Sequence, residues 1–244
     1  MFRFDNRILY IFLAIFVLSN IVQNITNGNF LLNLILTMPA VLIAITFHEY
    51  AHAWVAVKLG DETPRNRGRL TLNPLAHIDP FGIVLLMFAG FGWGKPVEVN
   101  PRNYNQNMSI TKADALVSVA GPAMNFILAI IFTVIMYAIT TFAPAFIFTQ
   151  IGMIILTLIR ITISINLGLG IFNLIPLPPL DGSKILNHFL SYNAREWFAE
   201  HEMYFYIGFL VIWMTGLAGL IISPIISGAY HLINMLVGSF FHLF

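Results

Sequence analysis

The hydrophobic residues of this chain fall into long, nearly uncharged runs that short polar segments separate. The runs cover residues 8–26, 31–57, 113–142, 145–172, 203–223 and 225–244. An apolar helix of about 20 residues is long enough to cross the hydrocarbon core of a bilayer. The pattern therefore predicts an all-α polytopic membrane protein with about six transmembrane helices, the last of which either spans or lies at the interface.

Two intervals after the second run break this pattern. Residues 58–80 are the most polar part of the chain, whereas 81–93 are apolar but too short to cross a membrane as a helix. The short run ends in several glycines and the alternating Val97-Glu98-Val99. This arrangement predicts a short re-entrant or β-hairpin element over 81–100. Because no internal repeat or inserted soluble domain is visible, we expect one domain over 1–244.

Composition supports membrane insertion and narrows the chemistry. Hydrophobic residues make up 58% of the chain and charged residues 9%, against about 25% charged in a soluble domain. The net charge of +1 gives no indication of a nucleic-acid partner. The chain contains no cysteine, so disulfides and thiolate metal ligands are both excluded.

Basic residues are placed asymmetrically along the chain. Eleven of the twelve lie at the N-terminus or within 58–112 and 184–195. The connections predicted on the other side, 27–30, 143–144 and near Pro224, contain none. Because basic loops stay in the cytoplasm, we expect a multi-pass protein of a bacterial cell membrane with a cytoplasmic N-terminus.

The sequence His48-Glu49-Tyr50-Ala51-His52 lies late in the second apolar run. Two histidines four residues apart share one face of a helix and can ligate one metal ion, with the glutamate between them as general base. Ionisable residues at membrane depth are costly and usually functional. The plainer alternative is a helix whose polar side chains bond to one another or to backbone.

A catalytic zinc site normally takes three protein ligands, so one is missing from this motif. Without cysteine it must be His, Asp or Glu, and the best candidate is Asp181, which follows three prolines in 173–182. Irregular backbone at membrane depth is tolerated where it lines a watery cavity, so this segment is expected to face the histidines. Alternatively, the prolines simply end a helix and Asp181 caps the next one.

These motifs together resemble the site-2 proteases, which are intramembrane zinc metalloproteases. HEYAH, NLIPLPPLDG and the intervening Gly121-Pro-Ala-Met-Asn125 occur in the order and spacing of that family, and the match covers nearly the whole chain. The likeness is to its small branch, without PDZ or CBS domains. Asn125 is expected either to orient a ligand or to pack a helix interface.

The resemblance implies roles for individual residues. It makes His48, His52 and Asp181 the ligands of a Zn²⁺ ion, Glu49 the general base and the Asn173 amide a donor to the oxyanion. The alternative for Asn173 is a helix-end side chain bonded to its own backbone. The resemblance also implies that an extended substrate pairs with the hairpin-like stretch by strand addition.

The expected function is therefore an intramembrane zinc endopeptidase. It would hydrolyse peptide bonds in or near transmembrane segments of membrane-protein substrates, as in regulated intramembrane proteolysis, with the lipid bilayer as its medium and no nucleic-acid partner. The alternatives are a metal-ion transporter that uses the histidines for transit and an inactive membrane binding protein. Transport would require several ion sites spaced through the helices.

Overall fold

A computed structural model describes residues 30–80, 82 and 94–241 of the chain. The predicted first span, 8–26, and most of the predicted hairpin lie outside the described residues. The helices within them are α1 (Phe30–Lys58), α2 (Thr63–Asn66), α3 (Ile110–Phe142), α4 (Gln150–Asn173), α5 (Asp181–Phe189), α6 (Tyr192–Glu200), α7 (Glu202–Met214) and α8 (Leu217–Phe241).

Four of these helices, α1, α3, α4 and α8, are long and apolar enough to cross a membrane. Large apolar side chains cover their outer surfaces, as expected for helices in contact with lipid. The prediction of a helical, multi-pass membrane protein is confirmed in this form for the part of the chain that the structure describes.

In the C-terminal part of the chain, the boundary between the last two helices lies at a different position from the predicted one. The division expected near Pro224 is wrong, because α8 continues through that proline. The break falls instead after α7, where Gly216 has a φ of +76° that favours glycine. The span expected over 203–223 is thereby replaced by the 13-residue helix α7 and the first turns of α8.

Helices α1, α3 and α4 pack directly on one another and form the centre of the bundle. The face that α1 buries is made of small side chains, namely Ala40, Ala44, Ala51, Ala53 and Ala56. Small residues let membrane helices approach closely, which brings polar groups of α1 within reach of its neighbours. An apolar cluster between α3 and α4, which includes Ile163 and Leu167, completes the core.

The chain on either side of residues 81–93 comes together. Ile78 and Gly94 form an isolated antiparallel bridge, and the Lys95 N–H donates to the His77 carbonyl at 2.8 Å. The two described ends of this stretch therefore lie side by side, and Gly94 packs against Ile45 of α1.

The polar segment after α1 is held by one buried carboxylate. Asp61 accepts hydrogen bonds from the backbone and hydroxyl of Thr63, from the Asn100 N–H at 2.6 Å and from the Asn103 amide at 2.9 Å. Burial works against the charged form, but these donors prevail and hold the pKa of Asp61 below its ordinary value. The carboxylate thus joins the end of α1 to the segment before α3.

Replacement of this carboxylate is expected to loosen the junction. Asp61→Ala should lower the free energy of unfolding by about 1.5–3 kcal/mol, the worth of a hydrogen bond to a charged group. Because the folded-state pKa is depressed, the stabilisation is present above the unfolded pKa and is lost as the pH falls through the folded one. Thermal unfolding in detergent at pH 7 and at pH 3 measures both effects. Glu62→Gln, which alters only an exposed ion pair with Arg65, is the control.

Candidate metal centre

Three potential ligands from two distant parts of the chain converge inside the bundle. The Nε2 atoms of His48 and His52 are 3.0 Å apart, and each lies 3.2 Å from Oδ2 of Asp181. Both histidines are buried, and Asp181 is half-buried. Among the described residues this is the one group of three His, Asp or Glu side chains that could hold a metal ion.

Hydrogen bonds on the far side of each imidazole fix its tautomer. His52 Nδ1 lies 2.7 Å from the Val117 carbonyl, which can only accept, so Nδ1 carries the proton. His48 Nδ1 lies 2.7 Å from Asn125 Oδ1. The Asn125 amide nitrogen donates to the Ala44 carbonyl at 3.1 Å, which leaves its oxygen to accept from His48. In neutral imidazoles both Nε2 atoms are therefore bare.

Two lone pairs and a carboxylate oxygen consequently face one another with no hydrogen between the two nitrogens. Such an arrangement is repulsive unless a cation lies between the three atoms. The separations of 3.0–3.2 Å are close to the roughly 3.3 Å expected between ligands about 2.0–2.1 Å from a tetrahedral zinc ion. The donor set and its spacing therefore fit zinc.

Asp181 reaches the histidines because of the irregular segment before it. Between α4 and α5 the prolines prevent a continuous helix, and Gly182 is buried against the carbonyls of Leu174 and Ile175, where a Cβ would collide with them. The Oδ2 atom of Asp181 thereby takes the position of a third ligand, 3.2 Å from the Nε2 atom of each histidine.

Gly121 of α3 lies against the open side of this triangle. A Cβ on Gly121 would lie 2.6 Å from Cε1 and 2.7 Å from Nε2 of His48, and closer still to Nε2 of His52. The sequence left open whether this motif of α3 orients a ligand or packs a helix interface. The structure gives a more specific reason for glycine, because a side chain would fill the space that a metal ion needs.

Glu49, the expected base, is on α1 between the two histidines and contacts the last part of the predicted hairpin segment, 81–100. Its Oε2 accepts a hydrogen bond of 2.8 Å from the Val97 N–H. This bond orients the carboxylate. It also occupies the Val97 donor, so that N–H is not available to a substrate strand in the described conformation.

Asn173 is the last residue of α4, and the structure does not place its amide among the ligand atoms. Its Nδ2 donates to the Leu169 carbonyl at 3.0 Å, four residues earlier in the same helix. This is the self-capping arrangement that the sequence left open. A role toward an oxyanion requires that the amide release this bond.

Sequence reasoning missed Asn166 entirely and left Asn125 undecided. Both are fully buried, and Asn166 Oδ1 accepts from the Asn125 amide at 3.0 Å, while Asn166 itself donates to the Thr162 carbonyl. A chain of two amides thus runs from α4 through α3 to His48. The sequence does carry one signal for them. Each is an asparagine within a long apolar helix, and such polar residues often form hydrogen bonds between membrane helices.

Removal of the first amide in this chain is expected to weaken metal binding. Asn125→Ala leaves His48 Nδ1 without its acceptor, and loss of such a partner typically costs 10–100-fold in metal affinity. Competition with a chromophoric zinc chelator measures the change. Thr133→Ala is the matched control, since Thr133 is equally buried on α3 but bonds only to the Ala129 carbonyl. Unchanged affinity in Asn125→Ala would contradict the orienting role.

Residues 36–215 match Peptidase family M50. The chain is 39% identical over 203 residues to zinc metalloprotease YwhC of Bacillus subtilis, covering 82% of this chain and 90% of that protein. It is 31% identical over 182 residues to zinc metalloprotease Rip2 of Mycolicibacterium smegmatis, covering 73% of this chain and 65% of that one. No solved structure gives a significant match.

Apolar spanning helices around a His-His-Asp centre define a metal-dependent enzyme of the membrane. The chain belongs to Peptidase family M50, the site-2 protease family, as the sequence motifs predicted. It is a membrane zinc metalloprotease.

Proposed function

We propose that this protease cleaves peptide bonds in or near the transmembrane segments of other membrane proteins. The observation that carries the proposal is the convergence of His48, His52 and Asp181 on one point at the buried end of spanning helices. At 1.5 Å per residue, His52 and His48 lie roughly 9 and 15 Å along α1 before Lys58. A substrate bond at that depth belongs most simply to a membrane segment.

Each polar group of the site has a place in the proposed hydrolysis. Zinc, when held by the three ligands, supplies a Lewis acid and makes water a stronger acid. Glu49, oriented by the Val97 N–H, accepts the proton of the attacking water and passes it to the leaving amine. The Asn173 amide, released from Leu169, donates to the oxyanion. The buried Asn125–Asn166 pair keeps His48 in the tautomer that binds metal.

The finer topology belongs to the same proposal. We infer about six spans, a short hairpin over 81–100, a cytoplasmic N-terminus and a bacterial cell membrane. The asymmetry of the basic residues and the bacterial relatives support this arrangement. Cleavage near the cytoplasmic end of α1 would release fragments toward the cytoplasm.

A substrate strand would pair with the segment after Gly94. Because Glu49 occupies the Val97 N–H, pairing there would begin at Val99 or require the substrate to displace the carboxylate.

Metal analysis combined with a cleavage assay tests the proposed function. We expect about one zinc per chain, cleavage of a single-span membrane substrate, loss of cleavage after chelation and recovery on adding zinc. A soluble, unfolded polypeptide is the comparison substrate and should be cut more slowly. Cleavage that survives complete metal removal would refute the metal dependence. Equal rates on both substrates would refute the preference for membrane segments.

A further inference from the structure

A cavity of about 300 Å³ is lined by the proline segment and by helices α5, α6 and α7. Its lining includes Pro176, Pro178 and Pro179 together with two cations, Lys184 of α5 and Arg195 of α6. None of the three ligands described above lines it. It is a separate site that the proteolytic chemistry leaves unexplained.

Several polar side chains of this cavity lack a direct partner. Within the described residues, the side chains of Lys184, Asn187, Arg195 and Tyr206 form no hydrogen bond or ion pair. The charge of Asp114 acts on Lys184 and that of Glu202 on Tyr206 without direct contact. The Nε atom of Arg195 is buried without any hydrogen-bond partner. A buried donor that lacks an acceptor costs about 1–3 kcal/mol, so an acceptor from outside the chain is favoured.

Charge and geometry indicate a phosphate oxygen as that acceptor. An arginine fork, an ammonium group, an amide and a phenol present several donors to one cavity, which a tetrahedral phosphate can satisfy together. Glu202 also lines the cavity, so its charged lining amounts to two cations and one carboxylate. A singly charged phosphodiester suits this balance better than a doubly charged free phosphate.

The surroundings indicate that the phosphodiester belongs to a lipid. The segments that line the cavity follow the end of the spanning helix α4, and helices α5 to α7 carry exposed aromatic residues, including Phe189, Tyr192, Trp197 and Tyr204. Aromatic residues concentrate at the level of lipid headgroups, and basic pockets between membrane helices bind anionic headgroups. We propose that this cavity binds the phosphate of an anionic phospholipid through Lys184 and Arg195.

A lipid bound in the cavity would also stabilise the proline segment that lines it. This segment continues directly into Asp181. A bound headgroup would hold this segment against α5 and α6, and the bound lipid would therefore stabilise the folded protein.

Lipid titration of the purified, full-length protein in neutral detergent tests the proposal. Phosphatidylglycerol should raise the midpoint of thermal unfolding, whereas phosphatidylcholine should not. Lys184→Ala and Arg195→Ala should each weaken the apparent lipid affinity roughly fivefold, the effect of about 1 kcal/mol per basic residue. Lys112→Ala removes an exposed lysine outside the cavity and should bind lipid as the wild type does.

Two further arms separate the sources of phosphate. Inorganic phosphate at the same concentration should leave the unfolding midpoint unchanged; an equal stabilisation by phosphate would overturn the lipid assignment. Equal affinity in wild type and both cavity variants would overturn the site itself. If Arg195→Ala does not fold, Lys184→Ala carries the test, because Lys184 is exposed on α5 and its replacement leaves α6 unchanged.

Discussion

Glu49→Gln is expected to lower cleavage by about 10²–10⁴-fold while leaving the zinc content unchanged. Glutamine has nearly the same shape and can still accept the Val97 N–H that Glu49 now binds at 2.8 Å. It cannot take a proton from water. The His48–His52–Asp181 triangle does not use Glu49, so the metal is expected to stay. Zinc stoichiometry and initial rates on a single-span substrate measure the two quantities.

The matched control is Glu98→Gln, which makes the same chemical change one residue after Val97, in the loop that contacts Glu49. Glu98 is exposed and lies 3.5 Å from Arg67. Such surface pairs contribute little, so activity should remain. If the Glu49→Gln protein binds zinc and keeps wild-type activity, Glu49 is not the general base. If the variant loses its zinc, the role of Glu49 is to support the metal site and not to transfer a proton.

Gly121→Ala is expected to lower the zinc affinity at least about a hundredfold. Loss of a hydrogen bond that supports a ligand costs up to about that much, and a side chain in the ligand space should cost no less. The new methyl group would stand 2.7 Å from the His48 Nε2 atom, in the space between the ligands. Because the backbones of α1 and α3 are held together by close packing, neither helix can move away cheaply. Zinc affinity by chelator competition is the direct measurement.

Gly168→Ala is the matched control for this substitution. A Cβ on Gly168 of α4 would lie 3.5 Å from Ile226, an ordinary contact, so zinc affinity should be unaffected. Activity and zinc content close to wild type in Gly121→Ala would contradict the placement of the metal between α1 and α3. The midpoint of thermal unfolding of Gly121→Ala distinguishes loss of zinc by a folded protein from loss of the fold.

Local periodicity accounts for most of what could be predicted. Three of the long apolar runs predicted the spanning helices α1, α3 and α4 to within about five residues at each end, because membrane insertion depends mainly on length and hydrophobicity. The spacing of His48 and His52 predicted their shared face for an equally local reason. Asp181 was found by eliminating other ligand types and by the prolines before it, and the structure brings it to 3.2 Å from both histidines.

Features that depend on contacts between helices could not be predicted in the same way. Pro224 was predicted to be a helix boundary, but it lies inside α8, as prolines often do in membrane helices. The boundary occurs instead at Gly216. Asn166 carries no motif of its own and acquires its role from Asn125 on another helix. The use of the Val97 N–H by Glu49 likewise depends on the path of the loop rather than on either residue type.

The distribution of the three ligands along the chain has a consequence for synthesis in the cell. His52 and Asp181 are separated by most of the bundle, and Gly121 and Asn125 lie between them in sequence. At 5–20 residues per second, a ribosome needs roughly ten seconds to pass from the first pair of ligands to the third. Throughout that interval the nascent protease is catalytically incomplete. Its neighbours in the membrane are therefore safe from it until the last ligand has emerged and the helices that carry it have folded.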